Sequence, residues 1–325
     1  MNYSNSRGQM GFREGQKGVV GVFPTQTFPA SITGDSRIFY VNPNHTLAVD
    51  AGNLGRDPQV PLATITRANA LARSNMNDVI LVAPNDGWQY GANLAPVIIE
   101  TAIITKHGVR LVGVGPSSLG VYWGPALTTE FALTIHALDV YVEGFAFTNS
   151  TAGLANANGI YVEWDGVTLF GENATINRCF FDEDMDIGIQ LEFPWYCEIM
   201  NCLFDNNEAY GIMSDVGGSG SAFTSIHDNR FIDCATGAIS LLGDADDCEI
   251  FRNHIFNTDA QNGAAATNEG IDTTGGTHNL VFDNYFSCLL PVPANGDYDD
   301  LNTAAATDSW INCHCLDGDT ITNPT

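Results

Sequence analysis

Cys197-Glu198-Ile199-Met200-Asn201-Cys202-Leu203-Phe204, Thr224-Ser225-Ile226-His227-Asp228-Asn229-Arg230-Phe231 and Cys248-Glu249-Ile250-Phe251-Arg252-Asn253-His254-Ile255 are three copies of one pattern. An aliphatic residue is followed five places later by a large apolar one, and the same pair recurs as Val142/Phe147, Ile176/Phe181 and Val281/Phe286. Short runs alternate with period two, as a strand does, whereas a helical repeat would space its apolar residues three and four apart. Most copies are followed by a second strand signal, at Gly159-Ile160, Gly188-Ile189, Gly211-Ile212, Gly237-Ala238-Ile239 and Gly270-Ile271. Self-similarity of this kind predicts a solenoid of short strands whose coils stack at about 4.8 Å. Each apolar residue then sits on its counterpart in the next coil, forming a core that no single coil can bury.

The position three after each first anchor reads Phe145, Cys179, Cys202, Asn229, Asn253, Asn284. Stacked asparagines are expected to form an amide ladder, each side chain bonding above and below, which is a structural role. Cys179 and Cys202 share that inward slot, and Cys197 and Cys248 share another with Thr224 between them. The cysteines are therefore read as free thiols that pack as small apolar residues. Cys313-His314-Cys315 is too short and isolated for a zinc site, which wants four ligands at paired spacing.

Working outward, residues 1–37 are rich in Gly, Ser, Gln and Thr and carry Arg7, Arg13, Lys17 and, in their one apolar run, Phe23. Such a segment does not order alone, so it is expected to be an arm that docks on a partner. Its opening residues lack an apolar stretch and do not read as a secretory signal. A strand follows from Arg37, ending at Pro43, then an amphipathic helix over Pro61–Arg73 with Pro61 at its first position, then strands at Asp78–Ala83, Val97–Glu100, Ala102–Thr105 and Val109–Gly115. Past Val281 the pattern weakens into residues 289–325, expected to close the far end, with one strand at Trp310-Ile311.

This order, with Ala83-Pro84 ending one strand and Val109-Arg110-Leu111-Val112-Gly113-Val114-Gly115 forming another, resembles the opening segment of the pectin-lyase-like right-handed parallel β-helix superfamily. The resemblance covers residues 38–288 and implies an all-β fold with a short helix plugging the open end. A plug is physically needed, because an uncapped coil exposes both core and unpaired strand edges.

Enzymes of that superfamily act on polysaccharides with recognisable residues. Asn257-Thr258-Asp259 and Asp299-Asp300 match part of the polygalacturonase-like set, but no Gly-His-Gly follows and no Lys or Arg comes after Arg252. Arg178, Arg230 and Arg252 alternate with core residues and are expected to point outward into solvent. Asp182 and Asp205 hold one slot in adjacent coils, with Asp184, Asp186 and Glu208 nearby, on what read as turns. Stacked carboxylates repel unless a cation or shared proton intervenes. Asp182, Asp186 and Asp205 are thus calcium candidates, and Asp182, Asp184, Asp205 and Glu208 candidate catalytic acids of a polysaccharide lyase or glycoside hydrolase. The alternative is an acidic surface with no catalytic set and no cofactor. Asp182–Gly188 is not an EF-hand loop, because its glycine falls one place late. Trp164 and Trp195 lie in connecting loops, free to stack on sugar rings or to pack against the flank or a second subunit.

Asp and Glu number 38 against 12 Lys and Arg, a net charge of −26. That balance opposes nucleic acid and anionic membranes, and no run of eighteen apolar residues could span a bilayer. An arm, a β-helix and an absent secretion signal together are similar to bacteriophage virion proteins, namely head fibres, capsid decorations and tailspikes. That likeness implies a location on the virion, a homotrimer, and docking to other virion proteins through the arm. It implies either a structural role or, alternatively, depolymerisation or binding of a bacterial surface glycan.

Overall fold

The computed structural model describes residues 35–83, 98–114, 121–127, 130–149, 157–164, 171–182, 185–214, 221–242, 245–257, 269–288, 303–304, 308–315 and 320–321. The arm residues Arg7, Arg13, Lys17 and Phe23, together with Asp184, Asp259, Asp299 and Asp300, lie outside them. The fold is an all-β parallel solenoid of three sheets. Among the described residues the first sheet has ten strands, from Ile38–Val41 to Ser309–Ile311. The second has eight, from Ala102–Ile104 to Thr303–Ala304, and the third ten, from Ile98–Ile99 to Thr320–Ile321. Every pairing is parallel except the last, where Thr320–Ile321 runs antiparallel to Cys313–Cys315.

Register matches the repeat. Val142, Ile176, Ile199, Ile226, Ile250 and Val281 face one another in turn along the first sheet, and all are buried. Phe147, Phe181, Phe204 and Phe231 do the same in the third, their rings stacked 4.6–5.1 Å apart and within 11° of parallel. The glycines of the second strand signal make room for these rings. A Cβ on Gly159, Gly188 or Gly211 would stand 2.7–2.8 Å from the ring of Phe181, Phe204 or Phe231, and 2.3–2.7 Å from a carbonyl oxygen of the next coil. Ala238 replaces the glycine in the coil where Ile255 replaces the phenylalanine.

The asparagine slot is buried throughout. The Asn253 side-chain oxygen accepts from the backbone N–H and the amide of Asn229, both at 3.1 Å, and its own amide donates to the Ile226 carbonyl at 2.8 Å and to Asn284 Oδ1 at 3.1 Å. Asn229 Oδ1 in turn accepts from the Cys202 N–H at 2.9 Å, so the ladder continues into the cysteine coils. Cys313 takes the next place above Asn284. Asn253→Ala is expected to cost about 3 kcal/mol, because it orphans a buried N–H and a buried carbonyl at once. Asn253→Cys, the residue type used two coils away, is expected to cost about half as much. Chemical denaturation of the two variants checks the ranking.

The plugging helix is shorter than its pattern, Ile65–Leu71, and Pro61 lies ahead of it. Thr64 is its N-cap, accepting from the Arg67 N–H. The Glu100 carboxylate takes the N–H groups of Ile65 and Thr66 at 2.9 and 2.8 Å, and Asp50 takes those of Ala63 and Thr64. These carboxylates satisfy the first free donors and fix the start. Leu62, Ile65 and Ala68 close the core beneath.

The solenoid does not stop at residue 288. Thr303–Ala304, Ser309–Ile311 and Cys313–Cys315 add a strand to each sheet, and the closing element is the antiparallel Thr320–Ile321. Cys179, Cys197, Cys202, Cys234, Cys248 and Cys313 are buried free thiols. Among the described residues, no helix is long and apolar enough to cross a membrane.

Candidate functional site

The outward face of the second sheet carries a column of polar side chains. Ile135, Val162 and Leu191 face one another in successive coils and point inward, fully buried. The residue after each, His136, Glu163 and Glu192, therefore points outward. Backbone bonds from the Glu163 N–H to the Ile135 carbonyl, 3.2 Å, and from the Glu192 N–H to the Val162 carbonyl, 2.8 Å, keep the three aligned.

Within this column His136 Nε2 is hydrogen-bonded to Glu163 Oε1, and the Tyr161 hydroxyl donates to Glu192 Oε2. Tyr161 interacts with Glu163 as well. Burial first, then the two carboxylates, push its hydroxyl far above the ordinary phenol range, so it keeps its proton and serves as a donor. Phe131 stacks on the Tyr161 ring at 4.7 Å and 22°, which fixes that ring. The His136 and Glu163 side chains are 16% and 21% exposed, shielded yet reachable.

An aromatic margin adjoins the column. Trp164, next to Glu163, meets Phe193, next to Glu192, edge-on at 5.4 Å and 83°. Beyond Pro194 the chain turns from the second sheet to the first. There Trp195, Tyr196 and, one coil on, Phe223 are 48%, 55% and 45% exposed, with Tyr196 and Phe223 stacked at 5.1 Å and 11°.

The acidic positions read from the sequence are differently placed. Asp205 ends a strand of the third sheet, with Asp182 beside it in the adjacent coil. Burial, then Asp182 and Asp233, raise the Asp205 carboxyl above its ordinary value. Asp186 is not on a turn. The strand Met185–Leu191 starts early, because a register shift at Ala157/Asn158 lets buried Met185 pair with Ala157 and carries Asp186 onto the second sheet, where burial raises its carboxyl. Glu208 is exposed. Among the described residues no three His, Cys, Asp or Glu side chains gather closely enough to hold a metal.

A second polar network lies on the first sheet. His227 bonds Asp228 through Nδ1 at 2.8 Å and Glu198 through Nε2 at 3.2 Å. Arg252 grips Asp228 with two bonds, 2.8 and 2.6 Å, and with help from His227 holds its carboxyl at about 2. Both imidazole nitrogens are engaged, which leaves none to meet a substrate. Arg178 pairs with Glu143 at 2.9 Å, and Arg230 lies over the Phe256 ring at 4.7 Å.

The column was missed in the sequence although its signal is present. Leu133-Thr134-Ile135-His136, Ile160-Tyr161-Val162-Glu163 and Ile189-Gln190-Leu191-Glu192 align once the second strand signal is extended by three residues. What the arrangement offers chemically is two carboxyls in adjacent coils, one bonded to an imidazole and the other to a tyrosine hydroxyl.

The family model described as right handed beta helix region matches residues 135–287. Among solved structures, a rhamnogalacturonan lyase is 12% identical, with 78% of this chain and 69% of that chain covered and a TM-score of 0.50. The enzymatically active domain of bacteriophage CBA120 tailspike protein 2 is 13% identical, covering 87% of this chain and 42% of that one, at 0.43. Pectate lyase Pel9A is 12% identical, covering 90% and 80%, at 0.37. At these identities the likeness shows the fold alone. No curated protein matches the sequence.

Proposed function

We propose that this right-handed parallel β-helix is a tailspike-type protein that cleaves a bacterial surface polysaccharide by hydrolysis at Glu163 and Glu192. The observation that carries this reading is the column itself, two half-shielded glutamates in adjacent coils converging on the Tyr161 hydroxyl, with His136 on one of them. Glu192, oriented by the hydrogen bond it accepts from Tyr161, attacks the anomeric carbon. Glu163, held by His136, delivers a proton to the glycosidic oxygen as the bond to the leaving sugar breaks. Water then hydrolyses the glycosyl ester on Glu192, returning its proton to the Glu163–His136 pair. Glutamates of adjacent coils that both reach one tyrosine hydroxyl fit the closer of the two glycosidase spacings, that of retaining enzymes.

Elimination beside a uronate fits less well. Two carboxylates repel an anionic substrate, and the protein as a whole carries −26. The test is incubation of the purified chain with capsular and O-antigen polysaccharides. New reducing ends without an unsaturated-uronate absorbance support the proposal. Unsaturated products would replace hydrolysis with elimination, and binding without cleavage would leave a receptor-binding role.

The same reading assigns residues 1–37, with Arg7, Arg13, Lys17 and Phe23, to attachment of a homotrimer to other proteins of a phage virion. A Gly- and Ser-rich arm ahead of a capped solenoid is suited to docking. Deleting residues 1–34 is expected to abolish co-sedimentation with particles while leaving solenoid unfolding unchanged, because Ser36 and Arg37, which bond to Met76 and Asp78, are kept. Attachment that survives the deletion would remove that role, and particles free of this chain would remove the virion location.

A further inference from the structure

The corner between the second and first sheets is occupied in each coil by one residue with a left-handed backbone. Among the described residues the slot holds Asn77, Gly108, Asp139, Asn173, Tyr196, Phe223, Asp247 and His278, with φ between 52° and 69°. Gly enters that region freely and Asn, Asp and His tolerate it, whereas for bulky side chains it is strained. Six of these eight coils use such residues, and the two that do not carry exposed aromatic rings. Phe193, on the same corner, adds a third aromatic at φ 56°. Here backbone strain and exposed apolar surface coincide, two costs that packing does not explain, since Tyr196 and Phe223 are each about half exposed.

The position identifies the occupant. Glu192 and Tyr196 are four residues apart on one coil, so the aromatic corner lies beside the candidate site around that coil, and Phe223 carries it one coil further. The Tyr196/Phe223 stack is bounded in its own slot by Asn173 on one side and Asp247 on the other, neither large enough to cover a ring. Trp195 stands beside it, bridged to Ala222 of the next coil. A flat apolar stack edged by an amide and a carboxylate suits a ligand with C–H faces and a hydroxyl rim. We propose that Trp195, Tyr196 and Phe223 form a subsite that binds uncharged pyranose rings of the polysaccharide next to the one being cleaved. This rests on the glycan reading of the Glu163/Glu192 column. Asp246, Asp247 and Glu192 around the shelf disfavour uronates there.

The test uses full-length Glu192→Gln protein as a non-cutting reader on an array of capsular and O-antigen polysaccharides. The polysaccharide bound most tightly then becomes the probe for titration by Trp fluorescence. Adding Tyr196→Asn and Phe223→Asn, which place a tolerant residue in the slot, is expected to weaken binding at least about tenfold, with a thermal midpoint unchanged or raised because strain is relieved. In the otherwise unchanged protein the same pair should raise KM and leave kcat nearly intact. Binding left as it was, a lowered midpoint, or a changed sedimentation coefficient would overturn the subsite, the last marking an interface between copies. An array without any bound glycan would overturn it too. Loss of cleavage in Glu192→Gln without any effect of the shelf variants would retain the active site and reject only the shelf.

Discussion

Glu192→Gln is expected to lower glycan cleavage by about 10³-fold, a barrier increase of about 4 kcal/mol, while binding in the non-cutting protein persists. Glutamine keeps the shape of the side chain and can still accept from Tyr161, so the loss isolates the nucleophile. Glu163→Gln should be comparably slow on glycans and much less so on aryl glycosides, whose leaving groups need little protonation. That contrast separates the two glutamates, because only the acid's role depends on the leaving group. His136→Ala should lose less, since the imidazole only positions the carboxyl that delivers the proton. Nuclear magnetic resonance of the first product anomer should show retention, as passage through a glycosyl ester on Glu192 requires. Inversion, or equal loss on both substrates for both variants, would contradict this assignment of roles.

Phe204→Ala should have the largest effect on stability, about 3–5 kcal/mol. Its ring lies between Phe181 at 4.7 Å and Phe231 at 4.6 Å, fully buried, and meets the space left by Gly188. Truncation opens a cavity in the middle of a one-dimensional stack, where each coil touches only its neighbours and cannot repack from elsewhere. The loss should also divide the unfolding transition in two, as the coils on either side uncouple. Phe231→Ala is expected to behave alike, whereas Phe251→Ala, from the stacked aromatics His227, Phe251 and Phe282 on the outer face, should cost far less. Calorimetry of the three variants decides. Equal losses would mean that the internal ladder contributes no more than the outer one.

Comparison of particular positions shows what was legible. The anchors, the asparagine slot and the Cys197/Thr224/Cys248 slot could all be placed in one dimension, because a stacked coil repeats its residue types at the same offsets. Gly188 and Phe204 were visible separately, but the need of one for the other was not, since it depends on a side chain crossing the core from another sheet. Asp182 and Asp205 were correctly aligned, yet Asp186 was misplaced by the register shift at Ala157/Asn158, which no alternation pattern reveals.

Sequence by itself determined the coil, its inward residues, its short helix and its net negative charge, because these follow from apolar periodicity and from composition, both of which are local or additive. Only the tertiary structure decided that His136, Glu163 and Glu192 form a column around Tyr161, and that Tyr196 and Phe223 stack beside it. Those residues are 27 to 29 positions apart, across loops of unequal length. Their meeting is set by inter-coil register and side-chain direction, which exist only once the coils have stacked.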